Sequence, residues 1–108
     1  MDLLGRTEET ILLSIWRLQD DAYGVSIRSD LKIRTGNDWS LGAIYAPLQR
    51  LERKGLVRTR MGDPESRRGG RRKVFYILTK KGRQALLHVK SSHETLWEGI
   101  SGLTTSGS

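Results

Sequence analysis

A chain of 108 residues with no cysteine and a net charge of +7 has the length of one domain with a modest core. That leaves little room for a large catalytic cleft and excludes disulfides, thiolate metal sites and thiol switches. It holds no apolar run near the roughly 18 residues of a membrane span, and its start lacks the charged region, apolar stretch and cleavage site of a secretion signal. A soluble, cytoplasmic protein without a membrane role is therefore expected. The charge is concentrated: residues 50–83 carry thirteen Lys and Arg against Glu52, Asp63 and Glu65, while both flanks are slightly acidic. Such asymmetry points to a polyanionic partner, nucleic acid or an anionic membrane surface; a solvated basic face is the plain alternative.

The first predicted helix has Thr7 as its N-cap and Glu8 and Glu9 in the turn where the helix dipole favours anions. Ile11, Leu12, Ile15, Trp16 and Leu18 follow at helical spacing, up to Asp20 and Asp21. A second, short helix starts about Tyr23 and Gly24, is expected to bury Val25, Ile27 and Leu31, and breaks at Gly36. Ser40 caps a third, LGAIYAPLQRLERK, which Gly55 ends. At about 100° per residue, Leu41, Ile44, Leu48 and Leu51 fall on one side and Gly42, Ala46, Gln49, Arg50 and Arg53 on the other. The outward side is small at its first turn, which permits close approach to a surface, and then long, polar and cationic, able to reach base edges or phosphates. Gln49 suits adenine, and the arginines suit guanine or phosphate; an ordinary solvated helix face is the alternative. Pro47, well inside the helix, loses a backbone hydrogen bond to the carbonyl of Ala43 and is expected to bend or tighten the first turns, changing how Ala43 and Ala46 are presented.

LVRTRM and KVFYIL read as two strands, joined by GDPESRRGGRR with Asp63-Pro64 and Gly69-Gly70 as turn chemistry. Thr79 caps a final helix running to about Gly99, on which Leu86, Val89, His93, Leu96 and Ile100 follow the three-then-four spacing of a heptad seam. That helix is short for a free coiled coil, so its seam is expected to dock on a partner that includes the first helix, with Leu12 and Trp16 as candidates. Burial in the subunit's own core is the alternative, the stronger one for Leu12.

Three helices, a hairpin with a basic loop and a last helix describe a mainly α protein with a small β-hairpin (α+β). The arrangement is a winged helix-turn-helix with a C-terminal dimerisation helix. Residues 1–79 would form the DNA-binding domain, 80–100 the dimerisation helix and 101–108 a disordered tail. A major groove admits one helix, about 40–54 here, while flanking cations fix its register on phosphates. The wing, 62–73, would carry arginines to the adjacent groove, where Gly69 and Gly70 have no side chains to collide with its walls. Arg71, Arg72 and Lys73 lie nearest the strand; Arg67 and Arg68 could be solubility charges only. An enzyme is disfavoured: His88 and His93 do not share a helix face, no HExxH, GxSxG, Walker or dinucleotide motif occurs, and His93 with Glu94 and Glu98 reads as solvated. No metal or cofactor is expected. The rival reading is a winged helix for protein or RNA contact without sequence-specific DNA binding, which calls for a more acidic or apolar third helix.

The stretches YGVSI, SLGAIYAPLQRLERKGLV and GGRRKVFYILTKKG, in this order, resemble the PadR family of bacterial transcriptional regulators, in its short form with a single carboxy-terminal helix. The resemblance covers roughly Leu3 to Ile100. It implies that Ser40, Gly42 and Tyr45 open the recognition helix against DNA, with partial packing as the alternative for Tyr45. It further implies that Tyr23 and Gly24 belong to the supporting helix and that Gly70, Arg71, Arg72 and Lys73 form the wing. Many members place proline directly after that tyrosine; here Ala46 intervenes before Pro47. Members are generally homodimers that bind near-palindromic operators on double-stranded DNA and repress, dimerising through the last helix.

Some members open a ligand space at that interface, which makes Trp16, His93 and Trp97 candidates for an effector site. Trp97, a turn beyond His93, could stack a planar hydrophobic molecule as in some drug-sensing relatives, and His93 could act as a proton switch. For both, plain packing is the alternative.

Overall fold

A computed structural model describes residues 4–63 and 72–105. The elements are α1 (Arg6–Leu18), a 3-10 turn (Gln19–Asp21), α2 (Gly24–Thr35), α3 (Leu41–Arg53), β1 (Val57–Met61), β2 (Val74–Leu78) and α4 (Lys80–Trp97). This is the winged-helix order expected from the sequence, and most helix ends lie where local chemistry puts them. The exception is the start of α1, which is capped at Gly5 rather than Thr7. Glu8, three residues on, accepts a hydrogen bond from the Gly5 N–H (3.0 Å) and thereby fills the backward half of a capping box.

Helix α2 begins at Tyr23, whose N–H donates to Ser26 Oγ (2.9 Å), and ends at Gly36, left-handed at φ 76°. Ile27 and Leu31 take its inner face, one turn apart. Val25 is 54% exposed, a correction to its expected burial: it lies two steps of about 100° from Ile27, so both cannot face the core.

Ser40 Oγ accepts from the Ala43 N–H (3.1 Å) to start α3, and the helix is continuous through Pro47, which is buried on its inner side. At the far end Gly55 is left-handed at φ 75°. Its N–H donates to the Glu52 carbonyl (2.9 Å) and that of Leu56 to the Leu51 carbonyl (3.0 Å), a Schellman closure in which both leucines are buried.

Strands β1 and β2 pair antiparallel, with Val57 opposite Leu78 and Arg60 opposite Phe75. Tyr23 adds a bridge to Phe75 on the free side of β2, and the Tyr76 N–H donates to the Ala22 carbonyl (2.8 Å). The hairpin is thereby fastened to the connection between α1 and α2. Val57, Tyr76 and Leu78 face a core completed by Ile11, Leu12, Ile15, Ile27, Leu31, Ile44, Leu48 and Leu51.

Thr79 Oγ1 accepts from the Gly82 N–H (3.0 Å) to open α4. Gly82 is required there, because a Cβ on it would stand 2.1 Å from the Leu56 carbonyl oxygen. Towards its C-terminal end α4 is exposed, and the molecule is elongated, 59 × 32 × 20 Å.

Candidate nucleic-acid interface

Two surfaces stand out, one on α3 and one on α4. On α3 the inward Ile44, Leu48 and Leu51 are fully buried, which turns Gly42, Ala43, Ala46, Gln49, Arg50 and Arg53 outward; all six are exposed. The helix thus presents a small first turn followed by amide and guanidinium groups. Its C-terminal end is held from two sides: Lys54 Nζ pairs with Glu8 Oε2 (2.9 Å), and Lys81 Nζ donates to the Lys54 carbonyl (2.8 Å). Burial pushes the Glu8 carboxyl upward, but the hydrogen bonds from Lys54 and the Gly5 N–H, with the charges of Lys54 and Arg50, outweigh it and hold the group below the ordinary glutamate value.

Tyr45 is half-packed and half-open. A Cβ on Gly24 would lie 2.2 Å from its hydroxyl, so the tyrosine rests on the start of α2 and a larger residue there would have to displace its ring. The two helices of the turn are spaced by this contact. Helix α2 is in turn tied to α1 through Asp30, which accepts from the buried Ser14 Oγ (2.7 Å) and pairs with Arg17 Nη2 (2.6 Å). Burial raises the Asp30 carboxyl, and these hydrogen bonds together with the charges of Arg17 and Arg34 bring it below the usual aspartate value.

At the hairpin, Arg72 and Lys73 are exposed, and Lys73 Nζ lies 4.4 Å from the centre of the Tyr23 ring. Arg67, Arg68, Gly69, Gly70 and Arg71 lie outside the described residues. Ser14, Asp30, Arg60 and Phe75 were not singled out from the sequence. The signal that could have found Arg60 is the strand register, which sets it opposite Phe75.

The α4 surface differs in carrying exposed large apolar residues among its polar ones. Leu86 and Val89 are partly buried against the subunit, whereas Leu96 is 74% and Trp97 59% exposed; the helix ends at Trp97, so Ile100, 52% exposed, lies past it rather than on its seam, a correction to the expected helix end. The seam is therefore covered over its first half only. Trp16 of α1 is half-exposed, but Leu12 is completely buried in the subunit's own core. As an interface candidate Leu12 is corrected: no surface of it is left for a partner, and the neighbouring Leu13 is the exposed leucine. Between α1 and α4 runs a groove of about 440 Å³ lined by Leu13, Trp16, Leu86, Leu87 and His93 among others. On the other side of α4 a second, about 520 Å³, is lined by Leu4, Leu56, Ala85, Val89 and Leu96 with Lys54 and Lys81 at its rim. His93 lines both and reaches Glu9 Oε2 at 3.3 Å. Among the described residues no group of His, Asp or Glu is arranged to hold a metal ion, and no helix is long and apolar enough to cross a membrane.

Known proteins share both the sequence and the geometry. A PadR-like transcription factor from Bacteroides fragilis superposes with a TM-score of 0.71 at 31% identity, over 84% of this chain and 82% of that one. A PadR family transcription regulator from Clostridium difficile R20291 gives a TM-score of 0.68 at 27% identity, over 85% and 91%. An uncharacterized protein of Lysinibacillus sphaericus is 34% identical over 84 residues, 76% of this chain and 72% of its own length. Residues 12–88 match the model of the transcriptional regulator PadR-like family. With that match spanning most of the chain, and an exposed cationic helix in the place where a winged helix meets DNA, the chain belongs to the PadR-like family and is a DNA-binding transcriptional regulator.

Proposed function

We propose that two copies of this regulator bind a near-palindromic operator and repress transcription from it. In this reading α3 enters the major groove, with Gly42, Ala43 and Ala46 against the groove floor and Gln49, Arg50 and Arg53 reaching bases or phosphates. Ser40 and Tyr45 set the start of the helix, and Arg71, Arg72 and Lys73 engage the neighbouring backbone from the wing. The observation that carries the reading is the one-sided α3: Ile44, Leu48 and Leu51 are inside, and Gly42, Ala43 and Ala46, then Gln49, Arg50 and Arg53, are exposed. The exposed Leu96, Trp97 and Ile100 favour residues 80–100 as the element that pairs the two copies. A planar hydrophobic effector entering beside Trp16, His93 and Trp97 would then act by shifting that pairing.

The test is selection of bound fragments from the chain's own genome, followed by anisotropy titration. A two-fold motif with half-sites roughly ten base pairs apart is expected. Replacing Arg71 and Arg72 by alanine is expected to weaken binding to all duplexes and to flatten the salt dependence. An unchanged salt slope would remove the wing from the interface, and preferential retention of RNA would replace the reading with the non-DNA alternative.

A further inference from the structure

The outer face of the sheet carries an arrangement that α3 does not account for. Register sets Arg60 of β1 opposite Phe75 of β2, and Tyr23 bridges Phe75 from the other edge, so three side chains line up across the strands. The Arg60 guanidinium carbon stands 4.3 Å from the centre of the Phe75 ring. Phe75 meets Tyr23 edge to face, centroids 5.5 Å apart and planes at 69°. Lys73 Nζ in turn lies 4.4 Å from the centre of Tyr23. The order is cation, ring, ring, cation, each step a contact between positive charge or ring edge and a negative ring face.

The row is anchored through Arg60 and Tyr23. Arg60 Nη2 donates to the Asp20 carbonyl (3.1 Å), and Tyr23 is fixed as the N-cap of α2. Lys73, at the other end, is exposed at the root of the wing. A lysine on a flexible stem is ordered when it grips a phosphate, at a cost in rotamer freedom; one already resting on a ring has part of that ordering behind it.

We propose that Tyr23 and Phe75 are positioning residues whose edge-to-face rings hold Lys73 in place for a DNA phosphate. Tyr23 works through the face of its ring, not through its hydroxyl. This rests on the DNA-binding reading above.

The test uses the full chain, a genome-selected duplex and a random duplex, each titrated over a range of salt, with thermal unfolding as a check on folding. Lys73→Met is expected to lower the salt slope by about one. Tyr23→Leu should weaken both duplexes about two- to fivefold, Tyr23→Phe should bind as wild type, and Tyr23→Leu should add no further loss in the Lys73→Met background. Should Tyr23→Leu not fold, Phe75→Leu replaces it in the same cycle with the same expectation. Equal damage by Tyr23→Phe, or an equal penalty with and without Lys73, overturns the positioning role while DNA binding stands. Failure of the wild-type chain to bind either duplex overturns both.

Discussion

Helices α3 and α4 are both amphipathic, yet they finish with opposite kinds of surface. On α3 the apolar positions Ile44, Leu48 and Leu51 are consumed inside the subunit, and the side turned outward carries small residues and then Gln49, Arg50 and Arg53, a surface that water tolerates and a polyanion attracts. On α4 only the first half of the apolar seam is covered, and Leu96 and Trp97, with Ile100 just past the helix end, are left in solvent. A charged face can wait exposed without penalty; an apolar one at the end of an elongated molecule is stabilised only when something covers it. The difference is the ground on which polyanion contact is proposed for α3 and protein contact for α4.

The sharpest way to break this comparison is to remove one leucine from each helix. Leu48→Ala, at a fully buried site, is expected to destabilise the subunit by about 3 kcal/mol at every protein concentration, read from urea unfolding. Leu96→Ala should leave the unfolding of highly diluted protein unchanged. A smaller effect tests how α4 is mounted: Gly82→Ala pushes a methyl toward the Leu56 carbonyl and is expected to cost about 2 kcal/mol in thermal unfolding. If α4 pairs two copies, Leu96→Ser with Ile100→Ser should raise the dissociation constant by at least about tenfold, roughly 1.4 kcal/mol, in sedimentation analysis, with DNA contacts of α3 intact. An unchanged association constant would leave the exposed seam without its partner.

The smallest expected effect concerns the C-terminal end of α3. Because the folded Glu8 carboxyl lies below its ordinary value, its pairing with Lys54 stabilises the protein above the ordinary glutamate range. That contribution disappears as pH falls through the lowered value. Glu8→Gln should therefore be less stable than wild type at neutral pH by about 1 kcal/mol. The two should converge in acid, as thermal melts across that window would record.

Much of the fold could be read along the chain. The caps Ser40 and Thr79, the stops Gly36 and Gly55 and most of the inward faces of α1 and α3 agree with the structure, except that Trp16 and Leu41 are exposed. The start of α1 was misplaced by two residues because Thr7 looks like a cap, while the deciding bond runs from Gly5 to Glu8. Val25 faces outward although its pattern suggests burial, because a short helix with several apolar residues does not announce which of them face inward. The outward side of α3 was legible as a candidate site, whereas the support of Tyr45 by Gly24 and the row from Arg60 to Lys73 were not.

The sequence by itself determined the order of elements, most of their ends and the sign of charge on α3, since these depend on neighbours within a turn or two of the same helix or strand. Only the tertiary structure decided that Leu12 is wholly internal, that half the α4 seam is uncovered, and that Lys54 meets Glu8 while Arg60 reaches Asp20. Those pairs lie some forty residues or more apart in the chain, and no local pattern encodes which distant segments approach. Packing around one shared core sets that.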